Sequence, residues 1–280
     1  GELIFPGSVT MVCFPFSGPF GLGDLIAKAL DRLGAKTLKT GVGRTFGELN
    51  ELLEKEQPDT FVGMPSQLLS MLRFCGKKSL KRALVSGDAC PDSVIKACED
   101  ILGSKLFPHY GSREMGLGGA ICCPAHEGMH LRENDVIAEI IDDFGNALPK
   151  GEYGQLVITT VGMEAMPLIR YKTGDYTRIL PEKCPCGSDI IRLAPLLRRG
   201  ASGRAAALDE ALFSIDGLID CMAKREGECV NITALTDGTV TPEMITEKAK
   251  TVMPDKNYTV NIKRAEPDDR PLFFAKRTIS

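Results

Sequence analysis

Between residues 9 and 110, short runs of β-branched and aromatic residues alternate with segments whose apolar residues recur at helical spacing. Val9–Phe14 predicts a strand, and Gly23–Leu33 predicts a helix with one apolar face. The same pattern predicts helices over Thr45–Glu54, Ser66–Phe74 and Pro91–Leu102, and strands over Thr60–Val62, Leu80–Val85 and Lys105–Tyr110. This repetition indicates an α/β fold in which a mostly parallel layered sheet carries helices on both faces.

After residue 135 the pattern changes to short apolar strands separated by turn residues. Val136–Ile141 and Gln155–Thr160 predict a small β hairpin or barrel region, and Leu193–Ala206 is typical of a linker or hinge. Helices over Leu208–Phe213 and Thr241–Val252, with strands over Ile219–Arg225, Cys229–Leu235 and Tyr258–Arg264, predict a small α+β domain at the end. We therefore predict three domains, an α/β part at 1–134, a β-rich subdomain at 135–197 and a small α+β domain at 198–280.

The composition narrows the classes of function. Lys and Arg number 34 against 37 Asp and Glu, so the formal net charge is −3, which gives no electrostatic footprint for binding nucleic acid. No apolar run reaches the roughly 18 residues that a membrane span needs. The N-terminal residues show no secretory signal, so the cytoplasm is the expected compartment. The ten cysteines then favour reduced thiols, with a metal site preferred over a disulfide framework.

Candidate chemistry lies where predicted strands end, because ligands of parallel sheets bind in the loops that follow the strands. Tyr110-Gly111-Ser112-Arg113-Glu114 follows one such strand and is, on the plainest interpretation, a strand-to-loop turn. A tyrosine face can also stack on a purine, a serine hydroxyl can reach a phosphate, and a glutamate can hold Mg²⁺ between phosphates. Likewise Thr173-Gly174-Asp175 is an ordinary turn triplet, unless a nucleotide lies nearby, in which case its carboxylate suits both ribose hydroxyls.

Three segments together resemble the adenylate-forming enzymes, and most closely the phenylacetate–coenzyme A ligase branch. They are Ser86-Gly87-Asp88, His109-Tyr110-Gly111-Ser112-Arg113-Glu114, and Pro167 to Asp175, in that order and spacing. Gly128 to Glu133, Leu148 to Gly154, and Cys184-Pro185-Cys186-Gly187 are also similar to that branch. The resemblance covers residues 9–187 well and the tail weakly.

The resemblance implies a two-step reaction. A carboxylate attacks the α-phosphate of ATP to give an acyl-adenylate and pyrophosphate, and the thiol of coenzyme A then displaces AMP. By this resemblance Ser86, Gly87 and Asp88 would line the adenine pocket, and Tyr110 would stack on the base. Ser112 would lie beside the phosphates, Glu114 would bind Mg²⁺, and Gly111 would be one of the nucleotide-binding residues. Asp175 would hold the ribose, so the β-rich subdomain would carry the ribose-binding motif, and the 1–134 part would carry the other nucleotide-binding residues. The substrate would be a small carboxylic acid.

Two departures from the family pattern bear on activity. The Ser/Thr/Gly-rich phosphate loop that ends in lysine is missing, and in register the roughly first hundred residues of a full-length ligase are expected to be absent. The late catalytic lysine has Lys276 as its nearest counterpart. Expected partners are therefore a second copy of the chain or a chain that supplies the loop. The alternative is a non-catalytic, ligase-like protein that binds zinc and perhaps nucleotide.

A set of cysteines and histidines has the composition of a metal site. Cys123 and His130, with Cys184 and Cys186, can supply three thiolates and one imidazole, a closed tetrahedral set for structural Zn²⁺. Pro185 and Gly187 fit a tight turn around the second pair. Cys122 or His126 could replace Cys123 or His130, and four unrelated residues are the plain alternative.

Overall fold

The computed structural model describes residues 3–116, 118–197 and 203–272, which divide into two compact units. The first unit draws on Gly1–Leu84, Pro91–Leu106 and Ala201–Ser280, and the second on Val85–Cys90 and Phe107–Gly200. The three domain boundaries drawn from the sequence stay a prediction.

The N-terminal part of the first unit is a set of strand–helix–strand crossovers. Its elements are β1 (Val9–Val12), α1 (Leu22–Arg32), β2 (Lys36–Lys39), α2 (Phe46–Glu56), β3 (Thr60–Gly63), α3 (Pro65–Cys75), β4 (Arg82–Val85) and α4 (Asp92–Leu102). Strands follow the order β4-β3-β1-β2, and β1 pairs in parallel with both β2 and β3. A buried cluster that includes Val12, Leu30 and Val62 packs α1 against this sheet. Two parallel strands that follow each other in the chain need a long crossover connection, usually a helix. The alternation of strands and helices in the sequence therefore leads to this parallel sheet.

Helix α2 shows how local sequence fixes one of these elements. The Thr45 hydroxyl accepts a hydrogen bond from the Glu48 backbone N–H at 3.2 Å, and the Glu48 carboxylate accepts one from the Thr45 N–H at 2.8 Å. This capping box satisfies two backbone donors that the first turn would otherwise leave unpaired. Leu49 and Leu53 then lie on the buried face.

Removing this cap should have a modest and measurable effect on stability. We expect Thr45→Ala to lower the free energy of unfolding by about 1 kcal/mol, because the Glu48 N–H loses its acceptor. Urea unfolding followed by circular dichroism measures the change. Glu51→Ala, at an exposed position of the same helix, is the matched control and should change stability by no more than about 0.5 kcal/mol. Equal losses for the two variants would contradict the capping account.

The C-terminal part of the first unit forms a small α+β layer. It contains α5 (Gly203–Phe213), β12 (Leu218–Glu226), β13 (Cys229–Thr236), α6 (Pro242–Lys250) and β14 (Asn257–Arg264). Strand β13 lies between β12, with which it pairs antiparallel, and β14, with which it pairs parallel. The predicted linker over Leu193–Ala206 is wrong at its end, because α5 begins at Gly203. The glycine and arginine at the start of α5 disguise the helix in the sequence, because glycine is rare inside helices.

The second unit is built from antiparallel strands. They are β5 (Phe107–Tyr110), β6 (Ala120–Cys122), β7 (Met129–Leu131), β8 (Val136–Ile141), β9 (Gly154–Thr160), β10 (Tyr171–Thr177) and β11 (Arg192–Leu193). β6 lies between β5 and β7, and β7 also pairs with β11. β9 lies between β8 and β10 in a second sheet. One apolar cluster, which includes Met115, Leu131, Leu156 and Ile158, packs these strands together.

The predicted fold class is confirmed, an α/β fold with a large, mostly parallel sheet, flanking helices and smaller sheets. Strands β2, β6, β7, β10 and β11 were not predicted, since each is short or carries polar residues on both faces. Within the described ranges, no helix combines the length and the apolar character required to cross a bilayer.

Candidate functional site

Tyr110 ends β5 and is followed by the loop that carries the candidate residues Gly111, Ser112 and Glu114. Its backbone carbonyl accepts a hydrogen bond from the Gly119 N–H at 3.0 Å, which closes the loop on itself. A Cβ on Gly119 would lie 2.5 Å from the Met115 sulfur and 3.2 Å from the Tyr110 carbonyl oxygen, so a larger residue here would require the Met115 side chain to move. The loop between contains a short 3₁₀ helix, Arg113–Met115, that presents Glu114.

Tyr110 also reaches the other predicted segment. Its hydroxyl donates a hydrogen bond to a carboxylate oxygen of Asp175 at 2.7 Å, and both side chains are less than a tenth exposed. The two residues are 65 positions apart in the chain, so this contact joins the two predicted motifs in space. A bond of this length to a carboxylate is charge-assisted and fixes the orientation of the acid.

The backbone of β10 is shaped to present Asp175. The pairing register with β9 shifts between Lys172 and Tyr176, and Gly174 takes a φ of +79° within that irregular stretch. The Thr173 hydroxyl donates to Leu156 O at 2.8 Å and accepts from the Asp175 N–H at 3.0 Å. The triplet that resembled an ordinary turn is therefore a bulged strand that aims one carboxylate toward Tyr110.

Ser112 carries an unsatisfied buried hydroxyl. Its Oγ is shielded from solvent and has no hydrogen-bond partner among the residues that the structure describes. A buried polar atom without a partner costs free energy, so its place is usually taken up by a bound water or ion, or by a role in catalysis. Glu114, two residues further on, is half-buried on the 3₁₀ helix. A phosphate beside this hydroxyl would supply the missing acceptor.

Ser86 and His109 form a second polar pair in the same unit. The Ser86 hydroxyl lies 2.8 Å from His109 Nδ1. Burial and, to a smaller extent, the charge of Arg132 hold the pKa of His109 below its usual value, so the imidazole is neutral at pH 7. Gly87 and Asp88, the other residues assigned to the adenine pocket, are exposed. The Asp88 carboxylate accepts a hydrogen bond from the Ala89 N–H at 2.8 Å.

Arg132 is an organising residue that the sequence analysis missed. Its Nη2 donates to the Met115 carbonyl at 2.7 Å, and its backbone N–H donates to the Gly119 carbonyl at 2.8 Å. It also forms an ion pair with Asp135 at 2.8 Å. These contacts hold both ends of the Glu114 loop. Arg132 lies in the Gly128 to Glu133 stretch that resembles the family, but only the fold shows which backbone carbonyls its side chain and its N–H reach.

The four predicted metal ligands meet in the second unit. The donor atoms of Cys123, His130, Cys184 and Cys186 all lie within 4.8 Å of one another. Cys122 and His126 face each other instead, with Cys122 Sγ 3.8 Å from His126 Nδ1. This group of four residues is called the thiol–imidazole cluster below.

Hydrogen bonds favour the thiolate form of one cysteine of this cluster, Cys184. Burial raises the pKa of Cys184, but the Cys186 backbone N–H and the neighbouring side chains lower the pKa further, to about 6. Burial raises the pKa of Cys123, and the Ala125 backbone N–H acts against that rise. These hydrogen bonds therefore favour the thiolate of Cys184, which is the form of cysteine that binds metals.

The structure places the predicted nucleotide residues within a single unit. Ser86, Gly87, Asp88, Tyr110, Gly111, Ser112, Glu114 and Asp175 all belong to the second unit. Direct contact joins Tyr110 with Asp175, whereas their individual roles stay predictions. Lys276 lies outside the described residues.

The sequence of the chain matches a known family and several curated proteins. Residues 5–165 match the family described as AMP-binding enzyme. A phenylacetate–coenzyme A ligase of Thermus thermophilus is 32% identical over 195 residues, which are 66% of this chain and 42% of that protein. The Escherichia coli phenylacetate–coenzyme A ligase is 32% identical over 204 residues, 67% of this chain and 46% of that protein. The chain thus spans less than half the length of these curated relatives.

Solved structures agree on the fold. A crystal structure of a 2-hydroxyisobutyryl-CoA ligase in the postadenylation state, in complex with an AMP adduct, superposes with a TM-score of 0.80 at 21% identity. The match covers 99% of this chain and 66% of that one. At this identity the likeness establishes the fold.

Proposed function

Because the chain belongs to the AMP-binding enzyme family, we propose that it serves ATP-dependent activation of a carboxylic acid through an acyl-adenylate. In this reaction a carboxylate oxygen attacks the α-phosphorus of ATP, and the bond to the bridging oxygen breaks to release pyrophosphate. A coenzyme A thiolate then attacks the acyl carbon and AMP leaves. The names of the matched ligases support coenzyme A as the acceptor and an acid of the phenylacetate type as the substrate.

The Tyr110–Asp175 contact carries this proposal. A buried carboxylate with one oxygen fixed by a tyrosine hydroxyl keeps its other oxygen oriented, and a fixed carboxylate suits the paired hydroxyls of a ribose. We assign the ribose to Asp175 and the purine to Tyr110 together with Ser86, Gly87 and Asp88. Tyr110 belongs to the buried apolar cluster, so only a small part of its ring is exposed to a base. Its stacking on the base therefore stays a prediction.

The loop after Tyr110 fits the phosphates. The unpartnered hydroxyl of Ser112 is suited to donate to a phosphoryl oxygen, and Gly111 lets the backbone approach closely. Glu114 offers a carboxylate for Mg²⁺, which proteins usually hold through one or two carboxylates while the remaining ligands come from phosphates and water. Within this arrangement Ser112 would orient the phosphoryl group, and Glu114 would hold the cation, which would offset the negative charge of that group. Lys276 would act on the same group, and its role stays a prediction.

Titration with nucleotide tests the proposal directly. The full chain should release heat with both AMP and MgATP, with dissociation constants in the range of about 1 μM to 1 mM that is usual for enzyme substrates. A folded chain that gives no binding to either nucleotide would remove the proposed function. Pyrophosphate release, measured with a panel of small aryl and alkyl acids, then tests carboxylate activation.

A second candidate function is favoured by the thiol–imidazole cluster. A protein that holds zinc and keeps this fold, without activating carboxylates, needs the cluster and does not need Ser112 or Glu114. Nucleotide binding with no pyrophosphate release from any acid would favour it. Adding a chain that carries a phosphate loop distinguishes this case from a partner-dependent enzyme, because only the latter would gain activity. The cytoplasmic location and a homodimer stay predictions.

A further inference from the structure

We infer that Cys123, His130, Cys184 and Cys186 form a structural Zn²⁺ centre that anchors the nucleotide loop through strand β7. The metal site stands on its own geometry, whereas its effect on the loop rests on the proposed function. Three thiols and one imidazole make a closed tetrahedral donor set, which is typical of structural rather than catalytic zinc.

Two of the distances between donor atoms in the cluster are close to those between the ligands of a tetrahedral zinc ion. Zinc bonds of about 2.3 Å to sulfur and about 2.0 Å to nitrogen place tetrahedral ligands about 3.8 Å apart for two sulfurs and about 3.6 Å apart for sulfur and nitrogen. Cys123 Sγ lies 3.5 Å from Cys184 Sγ, and Cys186 Sγ lies 3.5 Å from His130 Nε2. A disulfide would need about 2.05 Å, so the two sulfurs are not bonded to each other.

His130 is oriented as metal-bound histidines are. Its Nδ1 lies 3.2 Å from the Ile190 carbonyl, which can only accept a hydrogen bond, so the proton sits on Nδ1. The lone pair of Nε2 then points to the cluster. This arrangement, in which the second nitrogen donates to a backbone carbonyl, accompanies almost every histidine that ligates a metal.

The Cys184–Gly187 segment has the backbone of a metal-binding turn. The Gly187 N–H donates to the Cys184 carbonyl at 3.0 Å, and Gly187 takes a φ of +85° that favours glycine. The turn brings Cys184 and Cys186 to the same side. Thiolate-rich sets prefer Zn²⁺ or iron to Mg²⁺ and Ca²⁺, and the single imidazole among three thiols is a frequent structural zinc set.

The centre is joined to the Glu114 loop by a short path. His130 lies in β7, paired with Ile121 of β6 on one side and with Arg192 of β11 on the other. Two residues later, Arg132 donates to the Met115 and Gly119 carbonyls that flank the loop. Fixing β7 at the metal therefore fixes Arg132, which holds the loop on the C-terminal side of Glu114 at Met115 and Gly119.

Elemental analysis of the full chain, purified with zinc in the medium, tests the site. We expect about one zinc per chain, and less than about a tenth of that in the Cys184→Ser/Cys186→Ser double variant. Cys122→Ala is the matched control and should keep its zinc, because Cys122 faces His126. A zinc-free wild type, an equal amount of iron, or equal loss in the control variant would overturn the proposal.

Cobalt provides a readout that does not depend on variants folding. Wild-type chain depleted of metal by a chelator should take up Co²⁺ with the thiolate-to-metal charge-transfer and d–d bands of a tetrahedral site, and Zn²⁺ should displace it. Octahedral bands or no bands would contradict the centre.

The effect of the zinc centre on the Glu114 loop is tested by measuring MgATP binding with and without zinc. Zinc depletion should weaken MgATP binding about threefold or more, in the range of couplings carried by packed elements. Unchanged MgATP affinity in a depleted, folded chain would overturn the anchoring role. If the zinc-loaded chain binds no MgATP at all, the proposed function fails while the metal content still decides the centre.

Discussion

Replacing Asp175 by alanine is expected to weaken AMP binding by about tenfold or more. The carboxylate is buried, oriented by the Tyr110 hydroxyl at 2.7 Å, and assigned to the ribose, so its loss removes a charge-assisted contact worth about 1.4 kcal/mol or more. Isothermal titration of the wild type and the variant with AMP measures the change.

Three companion variants separate ribose binding from packing. Asp175→Asn keeps the shape and should lose nearly as much affinity. Tyr110→Phe keeps the ring and the acid but frees the acid to rotate, so a smaller loss is expected. Asp143→Ala changes an exposed acid of the same unit and should bind AMP like the wild type. Unchanged affinity in a folded Asp175→Ala chain would show that the ribose assignment is wrong.

Periodicity predicted the crossover elements of the first unit well, because a buried parallel strand and an amphipathic helix each leave a strong pattern. Val9–Val12, Leu22–Arg32 and Pro65–Cys75 all lie close to their predicted bounds. The edge strand Lys36–Lys39 was missed, since it has four residues, a lysine at each end and Leu38 as its one apolar residue. An element that makes few contacts with the core needs few apolar residues, so its sequence shows no clear hydrophobic periodicity.

The candidate site could be predicted only as separate motifs. Tyr110, Glu114 and Asp175 were found because their residue types and spacing resemble a family. The bond between Tyr110 and Asp175 spans 65 positions, and Arg132 acts through backbone carbonyls. Neither contact depends on a local pattern, so neither could be predicted without the fold.

The metal ligands illustrate how geometry decides among alternatives. Spacing alone left Cys122 and His126 as substitutes for Cys123 and His130. Adjacent residues of a strand point to opposite faces, so β6 turns Cys122 toward the core and leaves Cys123, just past the strand, near Cys184. Strand alternation could have favoured this choice, had β6 been predicted.

Glu114→Gln is expected to abolish the effect of Mg²⁺ on ATP binding. In the wild type, Mg²⁺ should tighten ATP binding, since a cation held by the Glu114 carboxylate would offset the charge of the phosphates. The amide keeps the size of the side chain but loses its charge, so ATP affinity in the presence of Mg²⁺ should fall about tenfold to a hundredfold, as for other disrupted metal sites. Titrations with ATP, with and without Mg²⁺, measure this difference.

AMP gives the internal control for this variant, because it lacks the β- and γ-phosphates between which the cation is held. AMP affinity should stay within about twofold of the wild type in Glu114→Gln, whereas Asp175→Ala should weaken both nucleotides. Glu133→Gln, an acid near β7 that accepts from the Ile191 N–H at 3.0 Å, tests whether any loss of charge in this unit has the same effect. A Mg²⁺ effect that persists in Glu114→Gln, or that disappears equally in Glu133→Gln, would place the cation elsewhere. If the Mg²⁺ effect is lost in Glu114→Gln alone, and AMP binding is weakened in Asp175→Ala alone, then the phosphate end of the site is distinct from its ribose end, as the two motifs predict.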